Sequence, residues 1–206
     1  MKLLHIDAGI TGPDAVSRQI SAAIVDNLVR ANPGLEVVRR DLDADPIPHL
    51  DSRNVGALRA IDGEALEGEA ARTAAILKEF LEADVLVLGA PMYNLGIPSL
   101  LKAWFDRIMV AGKTFRYTAE GVQGLAGDKT VIIASARGGL YAPGTPQAAV
   151  DFHEPYLRGL FGFMGVQDLT IVRAEGVNVS PELRESALKA AFASAARVTS
   201  APALAA

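Results

Sequence analysis

Cysteine is absent from all 206 positions. That excludes disulfides, thiolate nucleophiles and every cysteine-ligated zinc or iron–sulfur site. It also fits a cytoplasmic protein, which is the location we expect. Long apolar runs are missing as well. The opening run, Leu3-Leu4-His5-Ile6, ends at Asp7, too early for a signal-peptide core, and no later run has the length of a membrane span. Positive charge is not in excess: the formal net charge is −4, which argues against nucleic acid as the main partner. No Gly-Lys-Ser or Gly-Lys-Thr occurs, and no Gly-x-Gly-x-x-Gly follows the first apolar run. A phosphate-binding P-loop and a Rossmann dinucleotide turn are both disfavoured. The three histidines form no ligand spacing, so no metal site is expected. His5 reads as strand-packed, His49 and His153 as ordinary loop and helix-start residues.

What is present is an alternation of short apolar runs and helical stripes. Residues 3–6, 84–90, 130–134 and 169–172 read as buried strands, and 35–42 as an edge strand. Val16, Ile20, Ile24 and Leu28 recur every fourth residue, the stripe of an amphipathic helix with Asp14 as its expected N-cap. Residues 64–82 carry Leu66, Ala70, Ile76, Leu77 and Phe80 at helical spacing, and 98–110 carry Leu101, Trp104, Phe105 and Ile108. The Trp104-Phe105 stripe is expected to be core or dimer interface. Residues 150–165 also read as helical, and Ser180-Pro181 opens a last helix. Residues 43–63 and 113–128 read as loops, and the Ala-rich tail after Thr199 as a frayed end. The expected architecture is one α/β domain over 1–206: a five-stranded parallel sheet of order 2-1-3-4-5 with helices on both faces.

In that order the ends of strands one, three and four are neighbours, so the loops 8–17, 90–98 and 135–144 converge at the carboxyl edge of the sheet, where ligands bind in such folds. The first helix begins there, and its N-terminus is a ready anion site. Ser17 adds a hydroxyl to its first turn, although a local backbone partner is the commoner use of such a serine. Gly138-Gly139 is read either as lining or as a tight turn. The stretch Ala90-Pro91-Met92-Tyr93-Asn94-Leu95-Gly96-Ile97-Pro98 offers a semi-rigid, partly apolar wall. A phosphate end and a flat apolar end are the two requirements of a flavin mononucleotide.

The motif Pro91-Met92-Tyr93-Asn94-Leu95-Gly96-Ile97-Pro98, followed by Leu101-Lys102-Ala103-Trp104-Phe105-Asp106-Arg107, strongly resembles the FMN-dependent NADH:azoreductases. These belong to the flavodoxin-like NAD(P)H:quinone oxidoreductases. Asp45-Pro46-Ile47-Pro48, Thr114-Phe115-Arg116-Tyr117-Thr118, Arg137-Gly138-Gly139 and Gly162-Phe163-Met164-Gly165 extend the resemblance over nearly the whole chain. It implies a homodimer with non-covalent FMN and active sites at the interface. It also implies two-electron ping-pong hydride transfer from NADH or NADPH to quinones or azo compounds. By position, Gly9, Ala15, Val16 and Ser17 would hold the phosphate and ribityl end of FMN. Met92, Tyr93, Asn94 and Leu95 would wrap the ring, and Ala136, Arg137, Gly138 and Gly139 would line its pyrimidine side. Tyr117 and Phe163 would shape the substrate side. No side chain is expected to act as catalytic acid or base, because the flavin carries the chemistry. Arg53 and Arg59 could meet a 2′-phosphate, though solvated arginines are commoner.

The chain departs from the family where it has Gly9, Ala15 and Ala136 in place of serine, and Leu95 in place of phenylalanine. Weaker FMN binding is the expected consequence. Two other readings stay open at this point: a flavodoxin-type electron-transfer protein, and a flavin-poor member acting as a binding protein. The long excursion 43–63 and the aromatic residues near Tyr117 add walls that an open docking carrier would lack.

Overall fold

The computed structural model describes residues 1–58, 61 and 67–198. In chain order the elements are β1 (Lys2–Asp7), α1 (Val16–Ala31), β2 (Glu36–Asp41), α2 (Gly68–Glu82), β3 (Val85–Pro91) and α3 (Ser99–Ile108). They continue with β4 (Phe115–Thr118), β5 (Gly121–Gly124), β6 (Thr130–Arg137), α4 (Glu154–Phe163), β7 (Leu169–Glu175) and α5 (Pro181–Ala195). Five strands form one sheet of order β2-β1-β3-β6-β7, with every neighbouring pair parallel. This is the doubly wound arrangement expected.

Burial explains why the strands read as unbroken apolar runs. Every residue of β3 and β6 is buried, as parallel strands covered on both faces must be. Alternate residues serve opposite layers. Leu4, Ile6, Leu86, Leu88, Val131 and Ile133 pack with Phe80 of α2, Trp104 of α3 and Phe161 of α4. Leu3, Val85, Val87, Ile132 and Ala134 pack with Ile20 and Ile24 of α1 and Ala191 of α5. Trp104 is fully buried and meets Phe80 and Phe105 edge-on at 5.9 and 5.0 Å, so that stripe is core. The edge strand β2 is largely exposed, which explains its mixed sequence.

Four expectations change. Residues 113–128 are not simply loop: β4 and β5 pair as an antiparallel hairpin. Asp14 is not the N-cap of α1. Gly12–Asp14 forms a 3-10 turn with Pro13 inside it, which delays the helix and leaves Ala15 as cap, without a side-chain hydrogen bond. The fourth sheet strand runs on to Arg137, so Ala136 and Arg137 lie in β6 and not in the loop after it. The helix expected at 150–165 is shorter: a 3-10 turn, Ala148–Val150, precedes it and α4 starts only at Glu154. Ser180 does cap α5, its hydroxyl accepting from the Leu183 N–H at 3.2 Å. The beginning of the helix expected at 64–82, with Leu66, lies outside the described residues, as do 59–60, 62–63 and the tail from 199.

Candidate functional site

The sheet order places β1 beside β3, while the helices that follow them depart to opposite layers, α1 to one and α3 to the other. A crevice opens between them at the carboxyl ends of the strands, as the topology requires. It forms a cavity of about 180 Å³ lined by Thr11, Asp14, Ala15, Val16, Ser17, Pro91, Met92, Tyr93, Ala136, Gly138, Val177, Asn178 and Arg184.

At one end stands the first turn of α1, a helix of 16 residues. Its leading N–H groups have no acceptors within the helix, and Ala15 has no side chain that could supply one. The partial positive charge of the helix start is therefore directed at the cavity. Ser17 is fully buried, and its hydroxyl has no hydrogen-bond partner. Buried hydroxyls are ordinarily satisfied, so this one marks a place for an acceptor. The local backbone partner usual for such a serine is not made. Below the turn, the guanidinium of Arg18 anchors the first loop. It donates to the Gly9 carbonyl at 2.8 Å and to both Asp41 oxygens at 2.6 Å. That pairing holds the Asp41 carboxyl down at a pKa of about 2.

At the other end is the loop after β3. Tyr93 and Gly96 exchange backbone hydrogen bonds at 3.0 and 3.1 Å, with Asn94 and Leu95 between them at φ 47° and 71°. Positive φ at both central residues is the signature of a type I′ turn, an uncommon conformation for leucine. The turn presents Met92 and Tyr93 to the cavity. Two further hydrogen bonds fix it: the Ile10 N–H donates to the Tyr93 hydroxyl at 3.1 Å, and the Phe152 N–H donates to the Leu95 carbonyl at 3.1 Å. The loop thus joins the first loop to the segment before α4.

The third side belongs to the end of β6. Met92 donates its N–H to the Ala136 carbonyl at 2.8 Å, bringing the two strand ends together. A side chain at Gly138 would put its Cβ 2.8 Å from the Asn178 amide nitrogen, so glycine there admits the loop after β7. Arg137 turns away from the cavity. Its buried guanidinium lies 2.6 Å from Asp151 and 3.4 Å from both Glu154 and Glu175. Glu175 also accepts from the N–H groups of Tyr141 and Ala142. Arg137 therefore acts as the internal strut of this loop.

Of the residues expected to hold a flavin, Ala15, Val16, Ser17, Met92, Tyr93, Ala136 and Gly138 line the one cavity. Gly9 sits behind it, in reach of Ala15 and Ser17. Asn94 and Leu95 form the turn that supports its wall, and Gly139 packs toward Tyr141. Tyr117 and Phe163 lie elsewhere. Phe163 packs on Phe115, which packs on Tyr117, with centroids at 4.8 and 5.6 Å, and Tyr117 is 73% exposed beside a separate hollow with Met109 and Val110. Within one chain they do not join the cavity. Arg53 pairs with Asp51 at the surface, and Arg59 lies outside the described residues. Sequence reasoning missed Thr11, Asp14, Pro91, Val177, Asn178 and Arg184. The last three come from the region after β7, and the position of β7 beside β6 was the signal that a fourth strand end belonged here.

A family model described as flavodoxin-like fold, Flavodoxin_2, matches residues 1–198. An FMN-dependent NADH:quinone oxidoreductase of Xanthomonas oryzae pv. oryzae is 54% identical over 193 residues, 94% of each chain. FMN-dependent NADH:quinone oxidoreductase 2 of Bradyrhizobium diazoefficiens is 54% identical over 196 residues, 95% of this chain and 97% of its own. Among solved structures, the azoreductase from Bacillus anthracis str. Sterne superposes with a TM-score of 0.86 at 34% identity, covering 97% of this chain and 98% of its own. An FMN-dependent NADH-azoreductase from Bacillus anthracis str. Ames Ancestor, solved in complex with FMN, has a TM-score of 0.83 at 29% identity, over 97% of this chain and 99% of its own.

Proposed function

The chain belongs to the Flavodoxin_2 family of flavodoxin-like fold, and from that membership we propose that it is an FMN-dependent oxidoreductase that uses NADH to reduce quinones and azo compounds. One observation carries the reading: a buried, unpartnered serine hydroxyl, Ser17, at an uncapped helix start, in the same cavity as the Met92-Tyr93 wall. The donor set fits a phosphate at one end and a flat ring at the other. FMN, when bound, supplies the two-electron exchange with NADH and the acceptor.

The chain's own residues bind and orient. Ser17 and the first-turn N–H groups of α1 would take the phosphate, and Ala15 would leave room for the ribityl chain, with Gly9 behind it letting Ala15 and Ser17 pack close. Met92 and Tyr93 would hold the ring against the end of β6, with Asn94 and Leu95 shaping the turn. Backbone groups at Ala136, Arg137, Gly138 and Gly139 would face its pyrimidine side, where fixed donors would stabilise negative charge.

The reading also includes a homodimer, one domain over 1–206 and a cytoplasmic location. A cavity of about 180 Å³ in a single chain is small beside the roughly 300–1,000 Å³ usual for ligand pockets. A second subunit would complete the site and would give Tyr117 and Phe163 a role across the interface. No helix among the described residues is long and apolar enough to cross a membrane.

The test is steady-state oxidation of NADH and NADPH by a small quinone, with FMN supplied. Turnover with parallel double-reciprocal lines is expected, with NADH the better donor. A protein that carries FMN and shows no turnover is instead an electron carrier.

A further inference from the structure

The phosphate end of this cavity lacks hydroxyls at Gly9 and Ala15, yet it holds a group of a different kind. We infer that Arg184 of α5 is the cationic partner of the cofactor phosphate and replaces much of the grip that those hydroxyls would give. The inference rests on the reading of this cavity as an FMN site.

Arg184 lies in the first turns of α5, whose start is held by the Ser180 cap and Pro181. Its side chain lines the cavity together with Thr11 and Ser17. Among the described residues it makes no ion pair. Its one hydrogen bond is a long one, to the Val177 carbonyl at 3.4 Å. The other arginines around this edge of the sheet are committed: Arg18 to Asp41, Arg137 to Asp151, Arg173 to Glu154. A half-buried guanidinium with no ion-pair partner among the described residues, beside the positive end of α1, raises the local potential. An anion in the cavity relieves both at once. The facing groups agree: the buried Ser17 hydroxyl and the uncapped N–H groups of α1 are further donors. The one carboxylate lining the cavity is Asp14, which is exposed at the end of the 3-10 turn and free to point to water. A planar guanidinium binds phosphate through two parallel hydrogen bonds, which gives affinity and selects against flavins that lack the phosphate.

The experiment strips flavin from the purified protein and titrates FMN and riboflavin back, following flavin fluorescence, for wild type, Arg184→Gln and Arg184→Lys. Loss of one charge-assisted contact is worth about tenfold or more in affinity. Arg184→Gln is therefore expected to weaken FMN by about that factor and to leave riboflavin unchanged, with Arg184→Lys recovering part of the loss. Unchanged riboflavin binding also reports an intact pocket. FMN affinity equal to wild type in Arg184→Gln, or equal losses for FMN and riboflavin, overturns the inference while the site stands. A wild-type protein that binds neither flavin overturns the site and the inference together.

Discussion

The Tyr93 hydroxyl accepts the Ile10 backbone N–H at 3.1 Å, and this contact ties the loop after β3 to the loop after β1. The two loops carry opposite ends of the proposed ligand, so the bond sets their spacing. Removing it with Tyr93→Phe keeps the ring and leaves an N–H that water can reach, because Ile10 is exposed. A neutral hydrogen bond is worth about 0.5–1.5 kcal/mol. We expect FMN affinity to fall by about two- to tenfold, with little change in melting temperature. Equal affinity in wild type and variant would show that the loops keep their spacing without it.

Ala15 and Gly9 should respond oppositely when serine is introduced. Ala15 is the uncapped start of α1. A serine hydroxyl there can satisfy a first-turn N–H or the phosphate, and the helix gains about 0.5–2 kcal/mol from a cap alone. At Gly9 a Cβ would stand 2.9 Å from the Ala15 Cβ and 3.2 Å from the Ser17 Oγ, so the loop must shift. Ala15→Ser is expected to tighten FMN and raise the melting temperature, and Gly9→Ser to weaken FMN. Titration and thermal melting of both variants check this; a weaker complex with Ala15→Ser would misplace the phosphate end.

How far the sequence reveals the site follows from these residues. The buried strands were legible because Val85 to Pro91 and Thr130 to Arg137 are covered on both sides and must be apolar throughout. The hairpin was hidden. Its strands have four residues each, three of the eight positions are exposed-prone glycine or glutamine, and a positive φ at Gly121 reads locally as a turn. Asp14 looked like a cap because the sequence does not show that Pro13 closes a 3-10 turn first. The orphaned state of Ser17 and the orientation of Arg184 depend on chain segments far apart in sequence, so no local pattern encodes them. The family motif falls on Met92 and Tyr93, which line the cavity. It did not show that the Arg137 side chain serves as an internal strut.

His153, just before α4, is fully buried, its ring beside the Ala90 backbone. Burial pushes its pKa down to about 4 from 6.5. The unfolded chain therefore takes up a proton near pH 6.5 that the folded protein refuses until about pH 4, so stability falls as pH drops through that window. Between pH 7 and pH 5 the loss from this one group is about 2 kcal/mol. Chemical denaturation at both pH values should show this loss in wild type and not in His153→Gln. The same loss in both proteins would assign the pH dependence to other groups.

One cavity, between the start of α1 and the Met92-Tyr93 wall, is proposed to hold FMN. A crystal structure of the protein grown with FMN tests this most directly. The phosphate is expected within hydrogen-bond distance of the Ser17 hydroxyl and the N–H groups of the first turn of α1, with the ring against Met92 and Tyr93. A flavin bound elsewhere, or a phosphate turned away from Ser17, would contradict it.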